Sequence, residues 1–355
     1  KGDGLVPDVF SKEKLKVLVM KMKKRIALWD NLKFLLIIFV VIGHYTQQFR
    51  ADNETLQRIY VFIYSFHMPA FIFVTGLFSK RAVNEKDIKK ILPYLTCFFA
   101  TTLILFITRA LLGWAPVFEL FSPSGISWYL MSIFFMFLIT MLIKDYKPQY
   151  IFVLSLIIGV MCGFCKTNNP DFFTWMRTLT FYPFFCLGYI SDREKIEKAT
   201  NKISIKITAV IFFVAIYLLI YFYPKQANKI SRLNTARHTY SELGRFAPYG
   251  WELRLLTYAI SFAAIFLLIS LIPRKKIKGF TSLGERTLGI YMFHYVIVYI
   301  AVYVLKIQSI FKSVFPNSWA YLIIPVAILT AYFCGNPLFN QVSQKLFSSK
   351  EKLKG

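Results

Sequence analysis

Ten stretches of the chain are apolar over roughly the 20 residues that a helix needs to cross a bilayer, and this repetition constrains the fold more than any motif does. They are 26–45, 59–78, 91–112, 126–143, 150–165, 175–190, 204–223, 254–272, 284–305 and 318–339. Their apolar residues are continuous rather than alternating, which excludes a transmembrane β-barrel. Hydrophobic residues make up 56% of the 355, more than one soluble core of this size needs. The expected fold is all-α: a polytopic membrane protein of about ten transmembrane helices. The fifth and sixth stretches are the shortest.

The net charge is +25. In a soluble protein that balance would suggest nucleic acid. Here the basic residues sit in short segments beside apolar runs, where membrane topology puts them, so a nucleic-acid partner is not expected. With the N-terminus in the cytosol, the inner segments hold 27 Lys and Arg and the outer ones hold 10. Both termini are therefore expected inside. The outer segment 224–253 is the exception, with five basic residues. Long loops cross regardless of charge, and its arginines also suit a ligand.

Residues 1–25 read as a basic cytosolic segment, because no apolar core with a small-residue cleavage site precedes Arg25. Leu15–Met22 reads as a short surface helix within it. Residues 26–340 form the membrane domain and 341–355 a basic cytosolic tail. Cys162 and Cys165 have CxxC spacing, but no second pair or nearby His completes a metal set. No metal site is expected, and the five cysteines read as small apolar residues. No internal repeat is visible, which weakens a transporter built from duplicated halves.

Ionisable groups inside a membrane are costly and are functional suspects. Three of the four histidines, His44, His67 and His294, fall within expected spans. His44 and His67 lie in the outer halves of adjacent spans, and His294 lies near the middle of the ninth. An imidazole can take a hydroxyl proton near neutral pH, the task of a general base. The alternative for each is a hydrogen bond to a backbone carbonyl or a neighbouring helix. Asp30 and Lys33 are three apart on one helical face and can pair. Lys33 and His44 are separated by about 16 Å of helix axis and share nearly one face. A cation toward the cytosol and a base toward the outside suit a donor entering from below.

Other candidates lie at the span ends. Lys80, Arg81, Lys86, Lys89 and Lys90 form an inner cluster able to hold phosphates, or one that merely sets topology. Arg177 can stabilise an oxyanion, bind an acceptor or anchor at the interface. Arg237, His238, Arg245 and Trp251 in the outer segment suit a sugar or its lipid diphosphate, and equally an interfacial belt.

Several of these residues lie in recognisable motifs. Arg25–His44, R-I-A-L-W-D-N-L-K-F-L-L-I-I-F-V-V-I-G-H, resembles the first helix of the acyltransferase-3 family of integral-membrane O-acyltransferases. Its basic residue, ten intervening positions and His are matched by Lys33 and His44. Phe66–Gly76, F-H-M-P-A-F-I-F-V-T-G, is similar to the family's second-helix motif. Trp128–Leu130, Arg177–Gly188 and Leu288–His294 also match, so the resemblance covers residues 25 to about 340.

The resemblance implies transfer of an acyl group, most often acetyl, from cytosolic acyl-CoA. CoA would serve as co-substrate rather than as a bound cofactor. The acceptor it implies is a hydroxyl of a glycan or lipid-linked sugar in the cell envelope. His44 would be the catalytic His and Lys33 its basic partner, with Asp30 and His67 supporting. Arg81, Lys86, Lys89 and Lys90 would hold CoA, although the family's R-x-x-R is absent there. Trp128, Arg177, His294, Arg237, Arg245 and Trp251 would face the acceptor. Some members carry an extracytoplasmic domain that completes the transfer. Here the longest segment between spans is 224–253, so the chain is expected to finish transfer itself or hand over to another protein. A bacterial plasma membrane is the expected location, with membrane lipids as partners. The rival reading is a transporter or flippase of a lipid-linked sugar. Neither reading specifies an oligomeric state.

Overall fold

The computed structural model describes residues 27–123 and 125–347. The expected basic segment 1–25, its surface helix and the last part of the expected tail lie outside those residues. Backbone polar groups in hydrocarbon must be satisfied within the segment, so apolar stretches fold as helices. The described residues contain no strand.

The longer helices are α1 Ala27–Phe49, α2 Glu54–Tyr64, α3 His67–Leu77, α4 Leu92–Leu111 and α5 Trp128–Ile143. Then come α6 Pro148–Met161, α7 Trp175–Ile190, α8 Ile203–Phe222 and α9 Pro224–Asn234. The last four are α10 Gly250–Leu271, α11 Thr287–Tyr299, α12 Ile323–Cys334 and α13 Pro337–Phe347.

All ten expected stretches are helical, and the protein is an all-α polytopic membrane protein. Among the described residues, six helical runs are long and apolar enough to cross a membrane outright: α1, α2 with α3, α4, α8, α10 and α11. A seventh is the pair Trp319–Cys334 and Pro337–Phe347, bent by 62°. Helices α5 and α6 are apolar but shorter, and α7 has 16 residues with Arg177 and Pro183 inside it. The expected outer loop 224–253 is largely helical, through α9 and the turns of Tyr240–Tyr249.

The two breaks have proline causes. Pro69 cannot donate to the carbonyl of Ser65, and there α2 ends and α3 begins. The freed Ser65 carbonyl accepts instead from the Ser261 hydroxyl at 2.7 Å. The second break precedes Pro337, where the residue before proline is pushed out of helical conformation. Asn336 then caps the new helix, accepting from the Leu338 amide at 3.0 Å.

Packing follows small residues. Gly76 of α3 and Gly188 of α7 let the two backbones touch. A Cβ added at Gly76 would lie 2.2 Å from the Phe185 carbonyl oxygen, and one at Gly188 would lie 2.1 Å from that of Phe73. The second-helix motif and the Arg177–Gly188 motif therefore meet through their closing glycines. Helix α1 packs on α2, α11, α12 and the turn Phe280–Gly284.

Two hydrophobic clusters result, one around α3, α7 and α10, the other around α1, α11 and α12. Met68, Phe71, Tyr94 and Tyr129 pack against both. Connections gather at two ends. At the Lys33 end, Trp29 donates to Glu197 at 2.6 Å and Asn31 to the Pro273 carbonyl at 2.8 Å. At the His44 end, Gln57 donates to Asn228 at 2.7 Å and Gln308 to Asp52 at 2.9 Å.

Candidate active site

One face of α1 carries Lys33, Ile37, Val40 and His44, the i, i+4, i+7, i+11 spacing of a helical stripe. The first three line a cavity of about 350 Å³ that opens at the Lys33 end. Its other walls include Phe71 and Val74 of α3, Tyr129 of α5, Leu288 and Tyr291 of α11, and Phe347 of α13. Lys33 Nζ lies 2.8 Å from Asp30 Oδ1, and Asp30 is almost fully buried. This ion pair holds the ammonium at the cavity wall. His44 lines a second cavity, of about 330 Å³, at the opposite end. Met68 borders both.

The sequence pairs His44 with His67, and both border the second cavity. The rings packed on His44 are nevertheless those of His294, with centroids 5.3 Å apart, and Tyr295, 4.7 Å away edge-on. His294 is wholly buried and lines neither cavity. Expected among the acceptor contacts, it stands behind His44 instead.

The local helix bonds set tautomers. His294 Nδ1 lies 2.9 Å from the Ile290 carbonyl and 2.8 Å from that of Tyr291. A carbonyl only accepts, so Nδ1 carries the proton and Nε2 keeps its lone pair. His67 Nδ1 is likewise 2.8 Å from the Ile63 carbonyl, at the α2–α3 break. Both rings therefore make the carbonyl bonds that were the structural alternative for them. Among the described residues, His44 Nδ1 and His294 Nε2 are buried without a hydrogen-bond partner. A buried polar atom left unpaired costs free energy.

The far wall of the His44 cavity is built on α7 and the segment before it. Arg177 is buried, with its guanidinium 4.5 Å over the Trp128 ring. It pairs with Asp171 at 3.4 Å, and Arg237 pairs with the same carboxylate. One buried carboxylate thus orients two guanidiniums toward the cavity. Tyr64 stacks on Tyr60 at 3.9 Å and lies edge-on to His67 at 4.8 Å.

Of the residues singled out in the sequence, His44, His67, Trp128, Arg177, Arg237 and His238 therefore meet around one cavity. Lys33 and Asp30 stand at the other. Arg245 and Trp251 line neither: Arg245 lies over Phe246, and Trp251 is 45% exposed.

Arg81, Lys86, Lys89 and Lys90 are at the Lys33 end but outside the cavity wall. Acidic neighbours hold most of them: Arg81 pairs with Glu85 at 3.0 Å, Lys90 with Glu85 and Asp87, and Lys86 with Asp145 at 3.7 Å. Its bonds to Lys90 hold Glu85 below the usual carboxylate range, with Arg81 adding to the effect. Lys90 does the same to Asp87. Both stay ionised and offset part of the cluster's charge.

The sequence missed Asp171, Arg50, Gln47, Tyr64 and Tyr295, which complete the His44 cavity or order its arginines. Tyr295 follows His294 directly and Gln47 lies one turn beyond His44, so proximity was the available signal. Asp171 sits in an ordinary loop motif and gave none. Among the described residues, no group of three or more His, Cys, Asp or Glu could hold a metal ion.

Residues 26–335 match the acyltransferase-3 family model, described as an acyltransferase domain. This chain belongs to that family. It is therefore a membrane protein of an acyltransferase family. One curated relative, the nodulation protein NolL of Sinorhizobium fredii (strain NBRC 101917 / NGR234), is 29% identical over 195 residues. That match covers 49% of this chain and 50% of the relative, so the chain spans about half the length of the relative it matches. No solved structure matches this chain.

Proposed function

We propose that this acyltransferase moves an acetyl group from cytosolic acetyl-CoA to a hydroxyl of a glycan or lipid-linked sugar, with His44 as general base. One observation carries the reading. A single helix face runs from an ion-paired lysine at one cavity to a histidine with an unpaired buried nitrogen at another. That arrangement suits two substrates arriving from opposite sides of a membrane.

The 27-to-10 bias of basic residues makes the Lys33 end the cytosolic one and puts both termini inside. The match to a relative from Sinorhizobium fredii supports a bacterial plasma membrane as that membrane. The acyl-bearing arm of CoA lies in the mostly apolar cavity beside Lys33. The CoA phosphates remain outside it, near Arg81, Lys86, Lys89 and Lys90. The thioester reaches Met68 and His44. The acceptor hydroxyl enters from the other cavity.

A hydroxyl is a weak nucleophile until its proton has somewhere to go. His44 takes that proton as the oxygen bonds to the thioester carbonyl carbon. Arg177, oriented by Asp171, stabilises charge on the carbonyl oxygen. The C–S bond then breaks, and the imidazolium returns its proton to the departing thiolate. His294 contributes from behind, fixing the orientation of His44.

The test is mass spectrometry of surface glycans from cells carrying the wild type or His44→Ala, alongside acetyl-CoA binding by the purified proteins. Acetylated glycan should vanish in the variant while acetyl-CoA binding persists. A transporter or flippase would change glycan export without acetyl-CoA binding or any acetyl mark. Cysteines placed at Asn84 and Asn201 should be shielded from impermeant thiol reagents in intact cells, and one at Asn53 labelled. Labelling at Asn84 from outside would reverse the donor side.

A further inference from the structure

The His44 cavity does not end at the protein surface. Beyond it lies a recess of about 390 Å³ bordered by Arg50, Arg232 and His238, with Gln57, Asn228 and Ser231. Arg50, Tyr60, Thr235 and His238 border both spaces. Together the two spaces present the guanidiniums of Arg50, Arg177, Arg232 and Arg237.

Among the described residues, two carboxylates pair with groups of these two spaces. Asp171 is shared by Arg177 and Arg237, and Glu242 is bonded to His238 at 2.5 Å. Arg50 rests 4.1 Å over the Tyr60 ring. Arg232 reaches the Glu242 backbone carbonyl at 3.4 Å. Neither Arg50 nor Arg232 has a carboxylate partner among the described residues. Guanidiniums that converge without carboxylates match a phosphate, whose oxygens take paired N–H donors.

A third space adjoins these two. An apolar groove of about 210 Å³ runs between α2, α8, α9 and α10, lined by Val61, Ile216, Ile220, Ala227, Ile230 and Leu256. Ser231 borders this groove and the basic recess, while Asn234 borders the groove and the His44 cavity. Helix α9 is thus the wall shared by all three. The groove's outer lip, Leu219, Tyr223 and Leu256, is more than half exposed. It belongs to a side where α8 is only 11% buried and so faces lipid.

From this continuity we propose that the acceptor is a sugar joined through phosphate to a lipid tail. The tail enters from the bilayer into the groove. The phosphate is held by Arg50 and Arg232, and the sugar hydroxyl reaches His44. A soluble anion would need no apolar groove. An ordinary phospholipid would need no passage to His44, and a free polysaccharide would need neither groove nor lip. The proposal rests on the acyltransferase reading of the His44 cavity and narrows its acceptor.

The test uses the full chain in phosphatidylcholine nanodiscs with polyprenyl diphosphate as the probe, and acetyl-CoA binding measured on the same preparations. The probe should bind at least about tenfold more tightly than the polyprenyl alcohol, the scale expected for charge-assisted pairing. The double change Arg50→Gln, Arg232→Gln should erase that difference. Ala227→Trp, which fills the groove, should weaken diphosphate and alcohol alike, and acetyl-CoA binding should persist in both variants.

Three outcomes would overturn the proposal: equal binding of the alcohol, equal binding of inorganic pyrophosphate, or equal displacement by phosphatidylglycerol, which would mark a general lipid site. Loss of acetyl-CoA binding in the wild type would instead strike the acyltransferase reading.

Discussion

The two cavities that meet at Met68 are nearly equal in volume, about 350 and 330 Å³, yet they are lined by opposite chemistry. The one at the Lys33 end is walled mostly by aliphatic and aromatic side chains with one ion-paired lysine. The one at the His44 end collects three histidines, three arginines, three tyrosines and Gln47. The first suits a chain that must be kept from water and guided. The second suits a polar group that must be oriented and deprotonated. The proposed transfer keeps these tasks apart up to the point of reaction, because a thioester left standing in a wet, basic cavity would be lost to water.

The sharpest way to break this contrast is at His44. His44→Ala should lower transfer by about 10² to 10⁴-fold, the usual worth of a positioned base, with acetyl-CoA binding unchanged. Near-normal steady-state rates in a folded variant would end the proposed mechanism. The next effect is expected at the other cavity. Leu288→Trp should raise the KM for acetyl-CoA by about tenfold, as a filled pocket must, while leaving the KM for acceptor alone. A shift in acceptor KM instead would mean that the cavities are assigned the wrong way round.

His294 sharpens the comparison from behind. His294→Ala should lower kcat several-fold to about tenfold without moving either KM, since the ring orients His44 rather than touching substrate. His294→Phe, which keeps a ring packed on His44, should recover part of that loss. An equal loss in both variants, tracking reduced thermal stability, would make His294 a packing residue.

The smallest effect is expected outside the cavities. Lys89→Gln with Lys90→Gln should weaken CoA binding a few-fold, more at low salt than at high. Lys90 is already engaged by Glu85 and Asp87. Lys89 should therefore account for most of the change. Binding that is unchanged at every salt concentration would move the phosphate site to other residues of that end.

The spans were legible because each must satisfy its own backbone in lipid, and that demand is written locally as apolar length. The Lys33–His44 stripe was legible for a similar reason: helical spacing alone puts the two on one face. Partners across helices were not legible. His44 and His67 belong to adjacent spans, yet the ring packed on His44 comes from α11, 250 positions along the chain. Asp171, which orders Arg177 and Arg237, reads in the sequence as an ordinary loop residue. The two helix breaks were written as prolines, but the hydroxyl of Ser261 that closes one of them lies 196 residues away.

The sequence by itself determined that this chain crosses a membrane many times, which residues are costly there, and which family it resembles. All three follow from local composition and short motifs. Only the tertiary structure decided which of the costly residues share a cavity. Helices α1 and α8 are equally recognisable as spans, but 78% of the first is buried inside the protein and 11% of the second. Apolar length says that a helix belongs in hydrocarbon. It does not say whether that hydrocarbon is lipid or the neighbouring helices. Crossings such as Gly76 on Gly188 settle that, because they set which helices come close enough to bring their polar side chains together.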